Sequence, residues 1–478
     1  MTMDSSDEFD VIVIGGGPVG ENAASYAIAG SDRTAVIVEH ELVGGECSYW
    51  ACMPSKSLLR PGQVLDTARN MPGVQELVGD KPLDVEAVLA RRESFTHALD
   101  DSSQVKWAES AGISVVRGHG RISGEKTVDV DGRTLTARHA VVLATGTTAS
   151  VPNTPGLRDA LPWISRDATN LHEVPRRVAI IGGGVVACES ATWLLSLGAE
   201  VTMIVRGSAL LANAEPFASE LVATALRDRG ATILFHADLQ SVSRPGAQDT
   251  GIGKIHGGAA HLTVGGETIT VDEIVVAAGR KPASSDVGLS AVGLEDGKFV
   301  ETDDHLQVPG LDWLYATGDV NGRAQLTHMG KYQARVTGDV IAARADGRPL
   351  SGKRFSATAD HRQVPQVVFT PLEVASVGQT EKQARDAGVD VEILGVDIAV
   401  AGSSLQQDDY SGHAQLIVDK GTDTLVGASF VGPGVAELVH AATVAVVGKV
   451  TLDDLWHAVP SYPTVSEVWL RLLESRRE

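Results

Sequence analysis

A chain of 478 residues is long enough for roughly two to four domains, each with its own core. Its 51 glycines suit an α/β protein rich in phosphate-type turns, not a disordered polypeptide. A formal charge of -21, from 40 basic and 61 acidic residues, argues against nucleic acid or an anionic membrane surface as a partner.

The acidic start from Met1 to Asp10 leads directly into a strand and carries no secretory signal. No apolar run is long enough to span a membrane, and three cysteines do not build an extracellular framework, so the expectation is a cytoplasmic protein. Val11 to Ile14 reads as a buried parallel strand, followed by Gly15-Gly-Gly17-Pro-Val-Gly20 and a helix from Glu21 to Ala29. Val36 to Glu39 is the next strand. Gly15 permits the tight turn, Gly17 lets the backbone approach a pyrophosphate, and Gly20 allows close helix packing. Glu39 is placed to accept the hydroxyls of an adenosine ribose. A glycine fingerprint alone is weak; strand, fingerprint, helix, strand and terminal acid in register are strong.

Just beyond lies Gly44-Gly-Glu-Cys47-Ser-Tyr-Trp-Ala-Cys52-Met-Pro54-Ser-Lys56. A helical reading puts Cys47 and Cys52 somewhat more than one turn apart, within reach of a disulfide. Two cysteines this close also suit buried small hydrophobes or half of a metal site, although no further Cys or paired His lies nearby to complete four ligands. Their place, where a cofactor held by the preceding unit would lie against them, points to a redox dithiol. Tyr49 and Trp50 either line the cofactor cleft or belong to the core.

Residues 56 to 110 carry helical patterning, and short strands follow around Val115 and Lys126, with a turn at Asp131-Gly132. Ala140 to Ala144 is another buried strand, ending in Thr145-Gly146 where the chain crosses to a second domain. After the Pro-rich Val151 to Pro155, a second fingerprint appears: the strand Arg177 to Ile181, Gly182-Gly-Gly184, a helix to Leu197, and the strand Glu200 to Val205. This strand ends in Arg206 instead of an acid. An acid repels a 2′-phosphate and an Arg receives one, so Arg206 favours NADPH over NADH. Two dinucleotide folds imply electron transfer between two dinucleotides. Residues 241 to 268 read as loops joined by short strands, with His256 and His261 at the surface. The strand Glu273 to Ala278 closes the second fold at Gly279-Arg280. The strand Leu314 to Thr317 ends in Gly318-Asp319, whose acid would hold the ribityl or pyrophosphate end of a flavin, so the first domain resumes there. From Val364 onward, strand alternation mixes with two helices.

These motifs, in this order, resemble those of the pyridine nucleotide-disulfide oxidoreductases over nearly the whole chain. That flavoprotein group includes dihydrolipoamide dehydrogenase, glutathione and mycothione reductases, mercuric reductase and soluble transhydrogenase. The resemblance implies an α/β fold with two Rossmann-type dinucleotide-binding domains, the second inserted in the first, plus a C-terminal α+β dimerisation domain. The FAD-binding domain would occupy residues 1–155 and 281–352, the NAD(P)H-binding domain 156–280, and the interface domain 353–478, in a homodimer whose active site is shared across the interface. Cys47 would be the interchange thiol that attacks the substrate, Cys52 the thiol facing the flavin, and Lys56 with Glu189 the ion pair near it. Both cofactor identities, FAD and NADPH (or NADH) as cosubstrate, come with this resemblance.

The departures from the family pattern are informative. Tyr49 and Ala51 stand where Asn and Gly are usual, which implies a bulkier, more aromatic thiol pocket. Cys188 belongs to no redox pair and reads as a buried structural thiol. Tyr462 stands where the family's acid-base His precedes Pro-Thr, while Glu467 keeps the place of the acid that orients it; a phenol of pKa about 10 is a poor base at neutral pH. His457, a little upstream, is the substitute to consider. The resulting expectation is an FAD-dependent NAD(P)H oxidoreductase that passes electrons from NADPH through FAD and Cys47-Cys52 to a disulfide or other thiol-reactive small-molecule acceptor. Where Tyr462 disables that exit, reduced flavin would serve a quinone, a dye or a metal species directly. Dihydrolipoamide dehydrogenase working with NAD, a soluble transhydrogenase and a flavin-bearing subunit without turnover are the further readings. Arg206 and Tyr462 speak against the first of these, and the joint survival of Cys47, Cys52, Lys56 and Glu189 speaks against the last.

Overall fold

The computed structural model describes residues 7–477; the first six residues of the acidic start lie outside the described residues. Five helices place the chemistry: α1 (Pro18–Ile28), α2 (Gly45–Tyr49), α3 (Cys52–Arg69), α4 (Val185–Ser196) and α5 (Thr327–Ala345). The chain divides into two compact units, one built from residues up to Pro54, Glu93–Ala149 and Arg280–His361, the other from Ser55–Arg92, Ser150–Gly279 and the residues from Arg362 on.

In the first unit the apolar run Val11-Ile-Val-Ile14 is buried on both faces, as a central parallel strand must be. Glu8–Ile14 lies between Ala35–Glu39 and Arg133–Leu143, with Ile113–Arg117 and Leu311–Ala316 next outward, all parallel. Ile14 is level with Val38 and Leu143, and Ala316 with Leu143, so Gly15, Glu39, Thr145 and Thr317 all emerge at one edge of the sheet. That carboxyl edge is where open α/β sheets bind ligands. Helix α1 starts cleanly because Pro18 occupies its first turn after Gly17. It packs against α5 at Gly338, where an added Cβ would stand 2.4 Å from the Tyr26 Cβ. Thr147–Ala149 and Arg280–Pro282 form a two-stranded antiparallel ribbon.

In the second unit, four parallel strands run in the order Thr232–Leu234, Glu200–Ile204, Arg177–Ile181, Glu273–Val276. Helix α4 follows the third of these. The segment read as loops joined by short strands contributes to a three-stranded antiparallel sheet, Leu239–Ser243, Ala260–Val264 and Glu267–Val271, with a long loop between the first two strands. His256 is buried instead of exposed: its ring Nδ1 lies 3.1 Å from the Thr250 hydroxyl, and its main-chain N–H donates to the Glu273 carboxylate. Glu273 anchors this region through a fully buried, two-pronged pair with Arg244. From Pro365 onward a five-stranded antiparallel sheet carries the longer helices Leu438–Gly448 and Glu467–Glu474 together with shorter helical turns. Among the described residues no helix is long and apolar enough to cross a membrane.

Candidate redox site

At the carboxyl edge of the first sheet the glycines meet their steric demands. Gly15 has φ of +104°, and a Cβ there would lie 2.4 Å from the Ala144 carbonyl oxygen; one on Gly20 would lie 1.9 Å from the Gly15 oxygen. On Gly17 it would meet nothing closer than Gly45 Cα at 3.9 Å, so the approach to the N-terminus of α1 is clear. The Glu39 carboxylate accepts the N–H of Gly16 and of Glu41, each at 2.7 Å, leaving lone pairs on both oxygens. Burial alone would raise its pKa, but the bonds from His40, Glu41 and Gly16 bring it below the usual carboxylate value. Thr145 Oγ1 and Thr317 Oγ1 are buried here without a hydrogen-bond partner among the described residues. Gly146, beside Thr145, has φ of +74° and open space where a side chain would be. Asp319 Oδ2 accepts the Thr147 hydroxyl at 2.8 Å, and Thr147 Oγ1 in turn accepts Arg280 Nε at 2.6 Å. Burial raises the Asp319 pKa against the pull of Thr147 and Arg280. Unpaired hydroxyls, an open glycine turn and a ribose-type acid on one edge fit a dinucleotide such as FAD.

Cys47 sits in α2 and Cys52 opens α3; the helices are separate because Trp50 takes φ of -133° and ψ of -4°, ending α2. The two sulfurs are hydrogen-bonded to each other. The bond to Cys52, with burial behind it, pushes the Cys47 thiol far up, while Thr327 draws it down. The contact therefore favours one proton shared by the two sulfurs. Thr327 Oγ1 lies 3.4 Å from Cys52 Sγ. Cys52 begins α3 and Thr327 begins α5, so the positive ends of two helix dipoles lie at this sulfur.

Tyr49 and Trp50 belong to the core. Tyr49 is 1% exposed, its hydroxyl donates to the Val43 carbonyl at 3.1 Å, and its ring meets Trp50 edge-on at 5.8 Å. Burial lifts its pKa to about 12. The short α2 turns both rings inward, so the expected aromatic thiol pocket is not formed by them.

In the second unit Lys56 Nζ and Glu189 Oε2 are 2.7 Å apart, with side chains 39% and 6% exposed. Glu189 Oε1 also accepts the Phe369 N–H at 3.1 Å, and the Lys56 ammonium lies 4.8 Å from the centre of the Phe369 ring. Lys56 is one turn beyond Cys52 on α3. At the carboxyl edge of this sheet, Gly182 has φ of +132° with its Cβ position blocked by the Ala277 oxygen, while Gly184 and Gly279 are open. Arg206 is exposed just past its strand, without an ion-pair partner among the described residues. Open glycines and an unengaged cation suit a nucleotide bearing a 2′-phosphate. Cys188 is fully buried; burial raises its pKa and Gly183 O accepts from its Sγ, the behaviour of a structural thiol.

The C-terminal residues are not brought together. Tyr462 is 75% exposed and His457 is exposed as well. Glu467 is buried, its Oε2 accepting the Gly402 N–H at 3.1 Å and its Oε1 accepting Arg471 Nη2 at 2.9 Å. In this protomer it ties the turn at Ala401–Ser404 to its own helix, and Tyr462 is not among its partners. Thr327, Thr147 and Arg280 escaped sequence reasoning as site residues. Nothing local marks the two threonines; Arg280, following Gly279, was the one available signal.

Residues 9–334 match the family model described as pyridine nucleotide-disulphide oxidoreductase, and residues 364–472 match the dimerisation domain of the same group. Mercuric reductase of Staphylococcus aureus is 30% identical over 466 residues, covering 96% of this chain and 81% of that protein. Dihydrolipoyl dehydrogenase of Chlorobaculum tepidum is 32% identical over 474 residues, covering 96% and 95%. The HOCl-induced flavoprotein disulfide reductase RclA from Escherichia coli superposes with a TM-score of 0.81 at 23% identity, over 98% of this chain and 99% of its own, and that likeness concerns the fold. RclA has also been solved as a Cu(II) complex, which superposes with a TM-score of 0.82 at 22% identity.

Proposed function

The chain belongs to the pyridine nucleotide-disulphide oxidoreductase family, FAD-dependent oxidoreductases with NAD(P)H as substrate, and from that premise we propose that it carries electrons from NADPH to a disulfide or other thiol-reactive acceptor through Cys47 and Cys52. One observation carries the reading: the paired sulfurs of Cys47 and Cys52 lie where α3 begins, with the Thr327 hydroxyl at the start of α5 3.4 Å from Cys52 Sγ. Negative charge on the reduced pair is favoured on Cys52, beside Thr327, which suits Cys52 to receive electrons, and Cys47 becomes the attacking sulfur once it has given up its proton. FAD bound along Gly15, Gly17, Glu39, Thr145 and Asp319 supplies the relay between hydride donor and sulfur pair. Lys56 carries a positive charge on α3, and Glu189 with the Phe369 N–H fixes its ammonium in place. Gly182, Gly184 and Gly279 receive the nicotinamide nucleotide, with Arg206 against its 2′-phosphate.

The protein acts as a homodimer whose active site is completed across the interface, and its setting is cytoplasmic. Support for the dimer lies in the region that matches the dimerisation model, where Leu405, Val444, Val447, Val459 and Tyr462 are large apolar side chains left exposed.

A second reading has its own observation. With Tyr462 in place of a base and Glu467 engaged by Gly402 and Arg471, proton transfer at the thiol exit is unassisted. Direct donation from reduced flavin to a quinone, dye or metal ion needs no such group, and relatives named mercuric reductase and a Cu(II) complex of RclA fit a metal acceptor. The test is an anaerobic titration with NADPH and, separately, NADH. A long-wavelength absorption band with NADPH, lost in C47S and C52S, supports the dithiol route. Bleaching without that band, with full acceptor turnover in C47S, selects direct donation.

A further inference from the structure

The turn that carries Asp319 is held by one buried amide of the first unit. Gln333, in the second turn of α5, is fully buried. Its Oε1 accepts the Gly318 N–H at 2.8 Å and Asn321 Nδ2 at 2.9 Å, and its Nε2 donates to Asp360 Oδ2 at 2.9 Å. Asn321 secures the turn further: its Nδ2 donates to the Ala316 carbonyl at 3.1 Å, and its Oδ1 accepts the Arg323 N–H at 3.0 Å. Arg323 grips the Asp360 carboxylate with two prongs, each 2.9 Å, and the Asp360 side chain is fully buried. Gly318 takes φ of +80°, and a Cβ there would stand 3.1 Å from Val19 of α1, so the turn has no slack on that side. Only a neutral amide suits position 333. Gly318 and Asn321 offer N–H donors, which need an acceptor, while the Asp360 carboxylate needs a donor. A carboxylate in its place would face Asp360 as a like charge, and an apolar side chain would leave the buried Gly318 N–H without a partner.

We propose that Gln333 is the positioning residue for the flavin acid. By fixing the Gly318 amide and Asn321 it sets the Gly318–Asp319 turn in advance, so that Asp319 meets FAD without reordering of the backbone. This rests on the reading above that Asp319 helps to hold FAD. Both lone pairs of the Gln333 Oε1 are already taken by the turn, so its influence passes through Asp319. Without the amide, ordering of the turn opposes cofactor binding, and the loss appears in how fast FAD leaves.

The experiment is release of FAD from the intact holoenzyme, followed as flavin passing an ultrafiltration membrane after dilution. Q333M keeps the volume and removes the amide, and FAD should leave it about tenfold faster than the parent, the effect of one buried N–H left unpaired. D319A should also release FAD faster, and adding Q333M to it should change the rate little further, because both substitutions act on one contact. Full additivity of the two overturns the proposal. Parent-like release from D319A removes the flavin-acid reading itself; faster release from D319A with parent-like release from Q333M excludes Gln333 alone. Should Q333M fail to fold, Q333E decides. Its introduced carboxyl can donate a proton to Asp360 at about pH 5 and repels it at about pH 8, so release relative to the parent should rise from about equal to about tenfold between them. Arg323, Asp304 and His361, the other charged and titratable groups of the network, stand in both proteins, so the ratio removes their titration. A ratio that does not change with pH overturns the proposal.

Discussion

Replacing Thr327 with Val keeps a β-branched side chain at the first position of α5 and removes the hydroxyl that stands 3.4 Å from Cys52 Sγ. A hydrogen bond to a charged group contributes about 1.5–3 kcal/mol. The long sulfur contact and the half-buried position of Cys52 put this one just below that range, at about 1.4 kcal/mol, which corresponds to about one pKa unit. The same hydroxyl also draws the Cys47 pKa down, so its loss acts in one direction on both sulfurs. In T327V the thiolate of the NADPH-reduced enzyme should therefore form about one pH unit higher than in the parent. The assay is a pH titration of the reduced enzyme, following the long-wavelength absorption band in parallel with the rate of alkylation by iodoacetamide. T327S restores a hydroxyl and should return most of the shift. A midpoint that stays in place in T327V, or moves to lower pH, refutes the assignment of charge to Cys52 beside Thr327.

Three further outcomes are expected. Arg206→Ala removes an exposed guanidinium, and loss of a charge-assisted phosphate contact of about 1.4–2 kcal/mol predicts a ten- to thirtyfold rise in KM for NADPH with KM for NADH unchanged; equal rises for both in steady-state kinetics would count against the 2′-phosphate role. A positioned general base contributes about 10²–10⁴ in rate, yet Tyr462→His should recover no more than about tenfold in disulfide turnover, because Glu467 is already held by Gly402 and Arg471. Stopped-flow reduction of FAD by NADPH should not change in that variant, and a hundredfold gain in turnover would show that Glu467 had been released. Glu21 binds its proton more tightly in the folded protein, at about 7 against 4.5, so its stabilising contribution is full below the unfolded value and is lost as pH rises through about 7. E21Q should therefore raise stability by about 2–3 kcal/mol at pH 8, with the gain disappearing near pH 4 to 5; equal gains in thermal unfolding at both pH values would contradict this.

What could be read in the sequence was chemistry carried by local pattern. The fingerprints at Gly15 and Gly182, the acid at Glu39 and the cysteine pair declare themselves because turn, strand and residue type lie within one short stretch. Lys56 and Glu189 are 133 positions apart, and they were paired through a family resemblance because no local rule joins them. Thr327 was invisible, since its importance comes from the packing of α5 that brings its hydroxyl to Cys52. The orientation of Tyr49 depended on a helix break at Trp50 that no Gly or Pro announces. Glu467 could have been read better: Arg471 follows it at helical i,i+4 spacing, a local pair that competes with any distant partner.

Two helix starts at one sulfur also set the conditions under which the reduced enzyme keeps its charge. Backbone amides neither gain nor lose protons, and at a half-buried atom their partial charges are little screened by salt. A thiolate held by a histidinium loses its partner as the solution turns alkaline. A Cys52 thiolate held by the Thr327 hydroxyl and the starts of α3 and α5 does not. The arrangement gives up a proton donor that can be tuned and gains constancy: the charge on this pair keeps its partners in brine or dilute buffer alike.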